Sequence, residues 1–175
     1  MNEIIKKNGI KFGVIGGLFS VFYIISMYVV DYNLFINIWL GVTVMLVFLT
    51  IGVFQLIELR KSLGSFMTFK EGFTGYFIAS LIGILISTSF SIVLFNVIDT
   101  ATRDLIHEAL ITFQVENLQK WNVPAAEIKK AIDDMKEMPQ FSTLGLLYGI
   151  LKSLLGSIVF GLILAAIFKK NKPVL

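Results

Sequence analysis

One lysine interrupts an apolar run near the end of the chain, Lys152 in GILKSLLGS (Gly149 to Ser157). A cation inside a membrane segment is a functional hypothesis by default, because desolvation makes it costly to keep. The groups that could answer it are Asp99 and Asn96, in LFNVIDT at the end of an earlier run, and Asp31 at the end of the first. Gathered in a polar cavity, Lys152, Asn96 and Asp99 could hold an anion or pass a proton. The structural alternative is that Lys152 pairs with Asp99 or Asp31, or snorkels. It lies eight residues into its run, about 12 Å deep at the helical rise. A central lysine costs roughly 2.5 to 3.5 kcal/mol on the insertion scale, which the surrounding leucines and isoleucines offset. Its stem tilts toward the helix N-terminus and gives the ammonium a route to the interface. Both readings stay open at this stage.

The remaining residues assemble no other chemistry. His107 is the single histidine, so no second nitrogen ligand exists, and the absence of cysteine excludes disulfides and thiolate metal sites. Glu127, Asp133, Asp134 and Glu137 lack the spacing of a calcium loop and read as a wet helix face. No H-E-x-x-H, G-x-S-x-G, Walker A or dinucleotide fingerprint occurs, and GVIGG lies inside an apolar run rather than at a strand-to-helix turn. The expectation is a protein without enzyme activity, cofactor or metal.

What must position these groups is a set of membrane helices. The 175 residues are 56% hydrophobic and only 15% charged, with a mean hydropathy of +0.82. Four apolar runs are long enough to span a bilayer, at about 12–30, 34–57, 73–98 and 144–168. Continuous runs of this kind are helices, which satisfy their backbone hydrogen bonds within the segment. The first exceeds a signal-peptide core and lacks a small-x-small cleavage site, so it reads as a retained anchor. DYN (31–33) reads as a tight turn into the second span, and all four spans read as unbroken. The fold class is all-α and polytopic, one membrane domain over 1–175.

Charge gives a direction. Lys6, Lys7, Lys11, Arg60, Lys61, Lys70, Lys169, Lys170 and Lys172 lie on one side, against only Glu3, Glu58 and Glu71. The other side holds Asp31 and the acid-rich 99–137 segment. The positive-inside rule places both termini in the cytoplasm. The net charge of +3 then belongs to anchors facing anionic lipid, and no nucleic-acid partner is expected.

Within lipid, helices associate where small residues let backbones approach. The first span carries Gly9, Gly13 and Gly17; the third Gly75, Ala79, Gly83 and Ser87; the fourth Gly145, Gly149, Ser153, Ser157 and Gly161. Three such stripes suggest an internal seam rather than a dimer face. YVVDYN and NVIDTA align Asp31 with Asp99 as a faint trace of duplication. Between the third and fourth spans, about 99–139, two amphipathic stretches meet at NVP: one with Ile106, Leu110 and Phe113, one with Ile128, Ile132 and Met135. They form an extracytoplasmic helical hairpin that lies on the bilayer or caps the spans. It also offers a surface to a second copy of the chain or to another envelope protein.

FMTFKEGFTGYF (Phe66 to Phe77), LFNVIDT (Leu94 to Thr100), WNVPAAEI (Trp121 to Ile128) and the glycine- and serine-rich last span with its lysine tail resemble the domain of unknown function 4199 family, small four-span bacterial membrane proteins. The resemblance implies the inner membrane of a Gram-negative bacterium and supplies no activity, substrate or catalytic residue. The functional expectation is a non-enzymatic scaffold or accessory subunit. The alternative is a small transporter or channel component that uses Lys152 and Asp99.

Overall fold

The computed structural model describes residues 2–171, and no strand occurs among the described residues. Helices α1 (Glu3–Val30), α2 (Ile38–Ser62), α3 (Phe69–Val93) and α6 (Thr143–Phe168) run back and forth, and α4 (Thr100–Lys120) and α5 (Ala125–Glu137) are inserted between α3 and α6. Each of the four long helices is long and apolar enough to cross a membrane, α3 together with the turn that extends it to Ile98. That is the architecture of a multi-pass membrane protein. The start of α1, the α2–α3 loop and the end of α6 share one end of the bundle, the terminal end. Paired backbone hydrogen bonds of 2.8 and 2.9 Å between Met67 and Lys170 fasten it. The insertion α4–α5 occupies the opposite end. Lys172 lies outside the described residues.

Capping chemistry sets the boundaries. Asn2 caps α1, so the basic stretch through Lys11 is already helical. Asn37 accepts from Trp39 N and Leu40 N, and α2 therefore starts at Ile38. The chain between α1 and α2 is accordingly a short 3₁₀ helix, Tyr32–Ile36, and not a tight turn at 31–33. Thr68 and Glu71 form a capping box at α3. Helices α2 and α4 both end in Schellman motifs, whose left-handed positions fall to Gly64 (φ 82°) and Asn122 (φ 55°). Asp31 and Asp99 play the same local part: one caps the 3₁₀ helix through Asn33 N, the other caps α4 through Thr102 N. That shared task accounts for the similarity of YVVDYN and NVIDTA.

The third span is not regular to its end. Residues Leu94–Ile98 form a π-helical turn, closed by Asp99 N donating to Leu94 O at 2.8 Å. One wider turn shifts the register of everything after it.

Helix α3 is the centre of the bundle, with its widest contacts to α1 and then to α6. Helices α1 and α3 run parallel and interlock at four-residue intervals. A Cβ placed on Gly9, Gly13 or Gly17 would stand 2.7 to 2.8 Å from Ile78, Ile82 or Ile86 respectively. The glycines are therefore holes for an isoleucine row, the close-approach packing that apolar solvent favours. At the terminal end, Ile5, Leu56, Leu59, Met67, Tyr76 and Leu164 close a second core. Leu59 fills the space above Gly75, and Tyr76 lies against both Gly52 and Gly161.

The stripe on α6 behaves differently from its expectation as a packing seam. Gly161 and Ala165 are buried against α3. Gly149 has nothing within 4 Å of a built Cβ, and Ser153 is exposed. Gly145 is tight only against Pro139 and Gln140 of its own connecting segment. The reason lies in how α6 is held. Its second half packs Gly161 on Tyr76 and Phe73 of α3, whereas Gly149 and Ser153 lie on an open face.

Candidate functional site

At the insertion end a polar knot surrounds Asp99. Its carboxylate accepts from Tyr28 Oη (2.8 Å), Thr102 Oγ1 (2.7 Å) and Thr102 N (2.9 Å). The backbone N–H of Thr102, then the Thr102 and Tyr28 hydroxyls, hold its pKa below the ordinary carboxylate value, against the opposing effect of desolvation. Asp99 thus keeps its charge by collecting neutral donors. Next to it, Asn96 Nδ2 donates to Phe141 O (3.0 Å) and Asn96 Oδ1 accepts from Arg103 Nη1 (3.3 Å). The π-helical turn faces both residues toward these partners. Beneath them, Phe95 is fully buried among Phe35, Tyr28 and Phe141, with ring centroids 4.9 to 6.4 Å apart. Ile106 of α4 packs into the same cluster. The knot thereby ties α1, both linkers and the insertion to the end of α3.

Of the four residues expected to gather, only Asn96 and Asp99 share this region. Asp31 is engaged with Asn33, through its N–H at 2.8 Å and its side chain at 2.9 Å. Lys152 is exposed and forms no ion pair among the described residues; its Nζ stands 4.9 Å from the ring centroid of Tyr148. Tyr148 lies one turn closer to the helix N-terminus, so the ammonium points back toward the insertion end. The geometric corrections are therefore two: Lys152 does not meet Asp99 or Asp31, and it does not share a cavity with Asn96. Asp99 is engaged by Tyr28 and Thr102, and Lys152 lies on the exposed face of α6. His107 is half-buried with Nδ1 unpartnered, rather than fully solvated. Among the described residues no three His, Cys, Asp or Glu cluster to hold a metal.

The feature that residue types alone do not announce is a cavity of about 480 Å³ at mid-depth, between α2 and the other three long helices. Gln55 and Tyr76 lie toward its terminal end, where α2 and α3 approach closely. Toward the insertion end it is lined by Met45 of α2 and Ser153 of α6, both of them exposed. Beyond that level Gly41 and Gly149 have nothing within 4 Å of a built Cβ. The space is a wedge, closed at the terminal end and open at the other. Hydroxyl-bearing residues line it at Ser20, Tyr76, Ser80, Ser87, Thr88, Ser153 and Ser157, and among the described residues no charged side chain does. Ser20 and Ser157 donate to their own helices, at Gly16 O and Leu154 O. Ser87, Ser153 and Ser157 of the expected stripes thus line open space rather than a helix contact.

Asn8 of α1 is buried with both amide atoms unpartnered, beside the Lys11–Glu58 ion pair of 2.7 Å. The packing offers no partner for it.

The sequence profile of a family described as Protein of unknown function (DUF4199) matches residues 11–170. No curated protein and no solved structure matches significantly.

Proposed function

The chain belongs to the DUF4199 family, and from that premise we propose that it is a non-enzymatic scaffold or accessory subunit of the bacterial inner membrane. In this reading both termini are cytoplasmic and α4–α5 lies outside the cytoplasm. The charge distribution supports the orientation: the terminal end carries the lysine- and arginine-rich segments and the insertion carries the acids. Trp39 and Trp121 are strongly exposed near the insertion end, where interfacial aromatics belong.

One observation carries the scaffold reading. The polar knot and Ile106 seat α4 firmly on the bundle, whereas α5 packs chiefly against α4 and buries none of its residues. Its apolar stripe, Ile128, Ile132 and Met135, is only half-covered, and every one of its charged residues is exposed. A helix held out in this way suits contact with another envelope protein. The transport alternative would have to run through the wedge, because Lys152 stands outside its lining.

The chain has no cysteine, so single substitutions give clean cross-linking. In native membranes, Ile128→Cys and Ile132→Cys should form a discrete adduct that Lys129→Cys and Asp133→Cys do not. Lipid adducts alone, or equal adducts on both faces, would overturn the scaffold reading.

A further inference from the structure

Gln55 is 1% exposed, yet only half of its amide is used. Nε2 donates to Gly75 O at 2.7 Å and fixes the side chain across the α2–α3 contact. Among the described residues Oε1 accepts no hydrogen bond, and Gln55 borders the wedge. The oxygen is thus left open to the wedge rather than sealed in the packing, and an acceptor in so apolar a space calls for a donor there. The wedge could supply one. Its volume lies in the range of small-molecule sites, which are mostly apolar with a few placed polar groups.

The lining restricts the occupant. An anion or cation would enter without a counter-charge, since Asp, Glu, Lys, Arg and His are absent from the walls. A pure hydrocarbon would leave Gln55 Oε1 and the hydroxyls of Ser87 and Thr88 unanswered, Ser80 having the Tyr76 hydroxyl beside it. What fits is an apolar body with a neutral O–H, entering from the membrane at the open end. The geometry points to a binding site for a neutral, lipid-soluble alcohol, whose hydroxyl donates to Gln55 Oε1 and accepts from the α3 hydroxyls. This site is independent of the scaffold reading, which rests on α5.

The test uses the full chain in lipid nanodiscs and three photoreactive probes with the same diazirine-bearing chain: an alcohol, a carboxylate and a hydrocarbon. The alcohol should label peptides that contain Met45 or Tyr76, about tenfold above the other two, the ratio expected for one hydrogen bond made or missed. Gly156→Phe should abolish that labelling, because Gly156 lines the wedge and its Cβ position is open. It should leave the Ile128 and Ile132 cross-links intact, so failure here and failure of the scaffold reading are distinguishable. Gln55→Leu should bring the alcohol down to the hydrocarbon level. If that variant does not fold, Ser80→Ala with Thr88→Val is expected to do so in its place. Competition by dioctanoylglycerol or by farnesol tells a glycerolipid source from a prenol. Equal labelling by alcohol and hydrocarbon, labelling that survives Gly156→Phe, or competition by neither alcohol would overturn the proposal.

Discussion

Two small-residue stripes in this molecule meet opposite fates. On α1, Gly9, Gly13 and Gly17 receive Ile78, Ile82 and Ile86 so closely that no Cβ could be added. On α6, Gly149 and Gly156 repeat the same chemistry and receive nothing within 4 Å. Small residues permit a backbone to approach, but they do not bring one. The α1 stripe is filled because α3 runs parallel to it and presents a β-branched row at a matching four-residue interval. Gly149 and Gly156 face no such row, since α2 turns Phe48 to Gly16 and Phe19 of α1 and meets α6 where Gly52 faces Leu164. One stripe therefore serves cohesion and the other opens a cavity.

Substitutions at the two stripes should separate them sharply. Gly13→Leu would drive its Cβ to 2.7 Å from Ile82 and 2.9 Å from the carbonyl of Ala79, which cannot rotate away. A loss of about 3 kcal/mol or more is expected, at the upper end for overpacking, read by unfolding in mixed micelles. Retained stability would break the comparison. Next in size, Gln55→Leu removes the Gly75 hydrogen bond at the hinge of the wedge and should cost about 1 to 2 kcal/mol in the same assay.

A smaller effect, visible only in acid, is expected at Asp99. Its folded pKa is lowered by the Thr102 and Tyr28 donors. The stabilisation from those bonds is therefore complete above the unfolded value of about 3.9 and is lost as pH falls through the folded value. Thermal melts of wild type should show that acid limb, and those of Asp99→Asn should have a flatter one. An unchanged limb would mean that the knot contributes nothing. Smallest of all, Gly149→Leu should stay within about 0.5 kcal/mol of wild type, and a large loss there would show that α6 is covered after all.

The sequence makes the spans legible because hydropathy dominates them. The insertion is legible because its charge and helical period change abruptly after Asp99. Helix starts are set by caps, which hydropathy does not weigh. TFKE contains the Thr68–Glu71 capping box openly, whereas Asn37 displaces the start of α2 from Leu34 to Ile38. The candidate site was half-legible. Asp99 and Asn96 do sit together, but nothing local to them announces that Tyr28 and Thr102 would satisfy the carboxylate before Lys152 could. The π-helical turn has no sequence signature here. The wedge is a property of how far α2 stands from α6, a tertiary distance that no one-dimensional pattern records. Gln55 stood in plain view as a lone amide in an apolar run, and only its unanswered oxygen gives it meaning.

The account stands on a bundle that is closed at the terminal end and open at the insertion end, and paired cysteines in this cysteine-free chain test it directly. Under oxidation in native membranes, Met67→Cys with Lys170→Cys should form an intramolecular disulfide readily, since the two residues exchange both backbone hydrogen bonds, which sets the Cα atoms of such a pair about 5.5 Å apart. Met45→Cys with Ser153→Cys, on facing walls of the wedge, should stay reduced under the same conditions. Ready closure of the Met45–Ser153 pair, or failure of the Met67–Lys170 pair, would contradict it.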